Sequence, residues 1–153
     1  MLTKINGFTL IEVMIVIAII SILVSISYPK INNYVNYFTL TTELNQLISD
    51  LQWARQQSIV SKIKHGIIFY PIESKYQIVK DKINCKVIKE VSLSEDKIRF
   101  GDITFPSYKG GKAIFFKTLG NLDNHNGSIE LIKVGYGSKK IVYSSNAGVI
   151  NIN

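Results

Sequence analysis

The sequence predicts an α+β protein in which one long amino-terminal helix is followed by a carboxyl-terminal antiparallel β domain. Three observations carry that reading. From Val13 to Ile26 every residue is apolar except Ser21 and Ser25. Further on, Leu40, Leu44, Leu47, Leu51 and Ala54 recur at alternating spacings of four and three, one stripe of an amphipathic helix. Beyond Gly66 the apolar period shortens to that of strands, and Gly, Pro, Asn and Asp clusters punctuate it.

The chain opens with a short polar leader, Met1-Leu2-Thr3-Lys4-Ile5-Asn6-Gly7, and then Phe8-Thr9-Leu10-Ile11-Glu12 leads into the apolar run. Ser21 and Ser25 are small hydroxyls that a helix satisfies by bonding back to its own carbonyls. At the helical rise, Phe8 to Tyr28 covers roughly 31 Å, about one hydrocarbon core. A carboxylate inside such a segment costs about 2 to 3 kcal/mol at mid-bilayer and less near an edge, so Glu12 marks a function and calls for a partner. The bland reading of Glu12 is a residue near the headgroups that marks the helix start. No small-x-small cleavage site closes the run, which ends at Ser27-Tyr28-Pro29; a retained membrane helix therefore fits better than a cleaved secretory signal. Lys4 ahead of it predicts a cytoplasmic leader and an exported remainder.

Pro29 lacks a backbone donor and crowds the preceding turn, so a kink or local melting is expected there. The helix then resumes and runs to about Ser61, with Gly66 expected to end it after the cations Lys62, Lys64 and His65. From Phe8 to Ser61 such a helix measures roughly 80 Å, longer than a small domain needs, so half of it is expected to project. Strands are predicted at 67–70, 76–79, 86–91, 97–100, 113–116, 129–134, 140–143 and 148–152. Turns are expected at 71–74, 109–111, 121–127, 135–138 and 145–148. The boundaries that follow are a leader at 1–7, a membrane helix at 8–29, its amphipathic continuation at 30–63 and a β domain at 64–153.

Composition excludes several classes. The β domain, at about 90 residues, supports a small core but no large enzyme with a deep cleft. The formal charge of +7 admits anionic partners, yet the lysines scatter from Lys62 to Lys140 without forming a block. A single cysteine, Cys85, rules out an internal disulfide and any multi-cysteine metal cluster; its surroundings suggest a strand and burial as a small apolar residue. His65 and His125 lack partners at metal-ligand spacing. The 123–127 loop has one acid where a calcium loop needs several. Gly110-Gly111-Lys112 lacks the upstream glycine and following hydroxyl of a phosphate loop. Trp53 is expected to anchor the helix under the sheet, and Lys109, Lys112 and Lys117 to solvate a surface. No nucleophile, acid pair, metal or cofactor site emerges, so the protein is not expected to be an enzyme.

Residues Lys4 to Leu23 closely resemble the amino terminus of type IV pilins and type II secretion pseudopilins, with leader, glycine, aromatic, carboxylate and apolar helix in register. Pro29 falls where many such proteins carry a helix-bending proline. The stretch Asp50-Leu51-Gln52-Trp53-Ala54-Arg55-Gln56-Gln57-Ser58-Ile59, the β remainder and the closing 145–150 segment are similar to a group of minor subunits. That group holds type II secretion protein H and the FimT-like minor pilins.

The resemblance implies a pilin-like fold and a structural role without cofactors. A membrane-embedded prepilin peptidase would cut between Gly7 and Phe8 on the cytoplasmic side and methylate the new amine of Phe8. The mature protein would wait as a single-pass protein of the plasma (inner) membrane with its β domain outside. An assembly ATPase and a platform protein would lift it among other pilins or pseudopilins into an extracellular or periplasmic filament. Glu12, one turn past Phe8, would accept the amine of a neighbouring subunit and fix axial register. The alternative is a DNA-capturing minor pilin of an uptake system. Where such members are thought to use arginines near the last glycine, Gly148-Val149-Ile150-Asn151 has none, and only Lys139 and Lys140 precede it.

Overall fold

The computed structural model describes residues 8–93, 98–123, 126–143 and 150–152, with the backbone alone at 27–30, 32–33, 143 and 150–152. Helix α1 runs Leu10–Ser61. Among the described residues nine strands follow: β1 His65–Tyr70, β2 Lys75–Lys80, β3 Lys86–Ser92, β4 Ile98–Ile103, β5 Ser107–Tyr108, β6 Gly111–Phe116, β7 Gly127–Lys133, β8 Gly137–Tyr143 and β9 Ile150–Ile152. The expected leader (1–7), the turn at 145–148 and His125 lie outside the described residues.

The chain divides into two compact units at Asn36/Tyr37, within α1. In the first unit, the large apolar side chains from Leu10 to Ile26 are all exposed, from 45% at Val13 to 81% at Leu10. A helix apolar on every side has no preferred face for a core and is stable only in apolar surroundings. Ser21 and Ser25 donate to the carbonyls of Ile17 and Ser21, each at 2.8 Å, so neither hydroxyl opposes burial in such surroundings. The helix is continuous through position 29, and no local melting interrupts it there.

In the second unit α1 buries Leu40, Leu44, Leu47, Leu51 and Ala54, the stripe that the sequence marks out. These residues share one core with two antiparallel sheets. The first is five-stranded in the order β3-β2-β1-β6-β5, and the second four-stranded in the order β4-β7-β8-β9. In β1, Ile67 and Phe69 belong to the core under α1, whereas Ile68 belongs to a smaller cluster with Val79, Ala113 and Phe115. That is the period-two alternation of a strand covered on both faces.

Several local expectations are corrected. Lys62, in the left-handed region at φ 56°, follows the last helical residue; Gly66 lies within β1. Gly66 is needed there because a Cβ would collide with the Ile114 carbonyl and the Phe115 ring on β6. Cys85 is not in a strand: it occupies a left-handed position (φ 50°) just before β3, half-buried, with its thiol donating to the Lys82 carbonyl at 3.1 Å. Trp53 falls beside the buried stripe and is 38% exposed, so it does not anchor the helix under the sheet. His65 is buried in β1, and its Nδ1 lies 2.8 Å from the Ile63 carbonyl. The two-residue β5 went unforeseen because Ser107-Tyr108 is too short to show a period.

Two acids tie the elements together, one buried and one half-buried. Asp123, in the loop after β6, accepts from Lys64 Nζ at 3.0 Å and from Lys82 Nζ at 2.9 Å. Burial works to raise its carboxyl, but the hydrogen bonds and charges of Lys82 and Lys64 outweigh it and hold the group below the usual carboxylate range. That contribution to stability is complete above the ordinary value of 3.8 and is lost as pH falls through the lowered folded value. Asp123→Asn is therefore expected to cost roughly 1 to 2 kcal/mol at neutral pH, a modest figure because both lysines are partly exposed. Urea midpoints of variant and wild type should differ at pH 7 and converge in acid; an equal gap at both would refute the pairing. The second acid, Asp50, is taken up in the Discussion.

Candidate assembly site at the helix amino terminus

Phe8 is 84% exposed and Thr9 immediately precedes the first residue of α1. The Thr9 N–H donates to Glu12 Oε2 at 3.4 Å, and the Glu12 N–H donates to Thr9 Oγ1 at 3.3 Å. The arrangement is a capping box: the hydroxyl at the cap satisfies an orphan N–H of the first turn, and the acid three residues on reaches back. The Val13 N–H closes the turn onto the Thr9 carbonyl at 3.3 Å. This role of Thr9 was missed in the sequence although its signal, Thr-x-x-Glu before an apolar run, was in plain view.

The site's chemistry follows from what surrounds the carboxylate. Phe8, Glu12, Val13, Val16 and Ile17 line an open groove of about 260 Å³ along one side of the helix. An ionised carboxylate offers about four acceptor positions, and the capping box uses one at long range. Glu12 thus keeps capacity for a cation arriving along an apolar surface, where water competes poorly and a charged hydrogen bond is strong. Gly7 lies outside the described residues, and at Pro29 the backbone alone is described.

The two lysines considered for nucleic acid do not act together. Lys139 Nζ donates to Thr41 Oγ1 at 3.0 Å and sits 4.4 Å from the centroid of the Tyr37 ring. Lys140, next along β8 and so on the opposite face, stands directly across from Glu130 of β7. A hydrogen bond from Ser138, the Asp102 N–H and the Lys140 charge hold the Glu130 carboxyl below its usual range. Among the described residues no group of three or more His, Cys, Asp or Glu side chains is placed to hold a metal.

Residues 2–28 match the family described as the prokaryotic N-terminal methylation motif. The fold is also that of solved pilin structures. The Pseudomonas aeruginosa type IV minor pilin FimU superposes with a TM-score of 0.62 at 13% identity, covering 78% of this chain and 92% of that one. The chain thus carries that motif at its amino terminus and has a fold similar to that of solved minor pilins. A second solved structure, the minor pseudopilin EpsH from the type 2 secretion system of Vibrio cholerae, gives 0.59 at 11% identity, over 74% of this chain and 95% of that one. At such identities the likeness of this chain to either structure is one of fold. Among its described residues no helix is long and apolar enough to cross a membrane; the run with described side chains stops at Ile26.

Proposed function

We propose that this protein is a minor pilin or pseudopilin, a structural subunit of a type II secretion pseudopilus or type IV pilus-like filament, and not an enzyme. The observation that carries the reading is Glu12 capping a helix that is apolar on every side, one turn past the Gly7-Phe8 junction of the methylation motif. A prepilin peptidase cuts after Gly7, whose lack of a side chain suits a narrow protease cleft, and methylates Phe8. The sequence from Phe8 to Tyr28 anchors the subunit as a single membrane pass with the β domain exported; the side chains at 27 and 28 that complete the span are supplied by sequence alone. An ATPase and a platform protein drive assembly with other pilins, Pro29 bends the helix, and Glu12 takes the Phe8 amine of a neighbour. A DNA-capturing role has weaker support, since Lys139 is spent on Tyr37 and Thr41 and Lys140 faces Glu130.

Mass spectrometry of the protein purified from its native membrane tests the reading. The expected product begins at N-methylated Phe8. A chain that begins at Met1, or at a residue beyond Tyr28, would overturn it.

A further inference from the structure

We propose that the outer edge of β3, with the groove between that strand and α1, binds an extended acidic and apolar segment of a different protein by strand addition. The inference uses none of the residues at the helix start and holds whichever filament the subunit enters.

Strand β3 ends the five-stranded sheet. Its inner side pairs with β2 from Lys75↔Ser92 to Lys80↔Lys86. Its outer N–H and C=O groups have no strand partner among the described residues, and residues 86–90 are exposed in succession. Two of the other sheet edges are poorer templates, β5 with two residues and β9 with three; β3 is the longest edge strand, although like β4 it carries one register irregularity, opposite Ile78 and Val79. Natural edges of this kind are usually blunted by proline or by outward charges. Here the edge carries Lys86, Lys89 and Glu90, of which Lys89 reaches Asp50 at 2.9 Å, and between them Val87 and Ile88 stand nearly half exposed.

The groove beneath supplies side-chain pockets. Two open cavities, of about 220 and 390 Å³, share Ile88. Asp50, Trp53, Ile78 and Lys89 complete the first; Ile63, Lys80, Asp81, Asn84 and Lys86 complete the second. The carboxylates there are engaged: Asp50 by Lys89 and Tyr76, Asp81 by the Ile83 N–H and Asn84. Lys80 and Lys86, paired across β2 and β3, form no ion pair among the described residues. An occupant is therefore matched by acidic residues alternating with apolar ones, the period of an added strand. A second copy is disfavoured by like charge, since the chain carries +7 and would bring its own β3 lysines to the same edge. A nucleic acid would leave the backbone edge unused and find one aromatic platform instead of several.

Trp53 is the chain's only tryptophan, so its emission reports on this groove directly. The full chain in detergent micelles is titrated with a peptide of alternating glutamate and valine as long as β3. Three further probes are the lysine-valine counterpart, the glutamate peptide with N-methylated amides along one edge, and an oligothymidylate. The expected result is a saturable emission change with the glutamate peptide alone, weakened roughly tenfold or more by Lys86→Glu. No response to the glutamate peptide, or an equal response to the lysine peptide, overturns the proposal. So does equal binding of the N-methylated peptide, which shares every side chain but cannot add a strand. A response to the oligonucleotide alone assigns the groove to nucleic acid, and a concentration-dependent change without any probe assigns it to a second copy. Should Lys86→Glu fail to fold by circular dichroism, the N-methylated comparison on the unaltered chain decides.

Discussion

Glu12→Ala is expected to remove this subunit from sheared filaments while leaving its amount in the membrane unchanged. On the proposed reading, the change deletes the acid that would neutralise a neighbour's amine among apolar helices. Breaking a buried pair by removing one partner costs about 3 to 5 kcal/mol, which corresponds to a loss of incorporation well beyond tenfold. The structure also separates this role from capping, because Thr9 and Glu12 bond reciprocally. Glu12→Gln keeps an acceptor for the Thr9 N–H but no charge; Thr9→Ala keeps the charge and loses the cap, worth about 1 kcal/mol. Pairing with a neighbour's amine predicts failure of both Glu12 variants and near-normal incorporation of Thr9→Ala. Immunoblots of filament and membrane fractions decide between the two roles. Glu12→Gln filaments at the normal level would reduce Glu12 to a helix cap.

How far the sequence led depends on the range over which each feature is determined. The buried stripe from Leu40 to Ala54 was legible because helical period alone selects it, and the order of the longer strands because their turns are written in Gly, Pro and Asn. At the helix start the sequence singled out Phe8 and Glu12, one turn apart, but passed over Thr9 between them, whose cap shows only once the first turn is built. Position-specific readings failed where the deciding neighbour is distant. Gly66 resembles a helix stop until Phe115 of β6 is placed against it. Trp53 resembles a core anchor, yet it sits one residue off the stripe and borders a groove formed with β3. The partners of Asp123, Lys64 and Lys82, lie 59 and 41 residues away, and no local pattern announces such a pairing.

The largest effect on stability is expected at Asp50, which joins α1 to the first sheet. Its carboxylate accepts from the Tyr76 hydroxyl at 2.7 Å, from Lys89 Nζ at 2.9 and 3.0 Å and from Gln46 at 3.2 Å. Tyr76 is 1% exposed, so Asp50→Ala strands a buried hydroxyl and opens a gap beside it. The Lys89 share is small because that side chain remains 44% exposed and can turn to water. Together the stranded hydroxyl and the lost charged hydrogen bonds suggest a cost of about 2 to 4 kcal/mol, read as a lowered urea midpoint of the β unit. Replacing both partners with apolar groups, Asp50→Leu with Tyr76→Phe, should recover most of that loss, because no donor is then left unpaired. Burial first, and the hydrogen bond to Asp50 second, push the Tyr76 hydroxyl above its ordinary value of 10.0. The corresponding stability is fully present below pH 10 and declines as pH rises beyond it, since only the unfolded chain then releases the proton. Tyr76→Phe removes that alkaline decline, whereas Asp50→Ala only reduces it, burial being the larger cause. A double variant no more stable than Asp50→Ala would show that packing around position 50, and not the stranded hydroxyl, sets the cost.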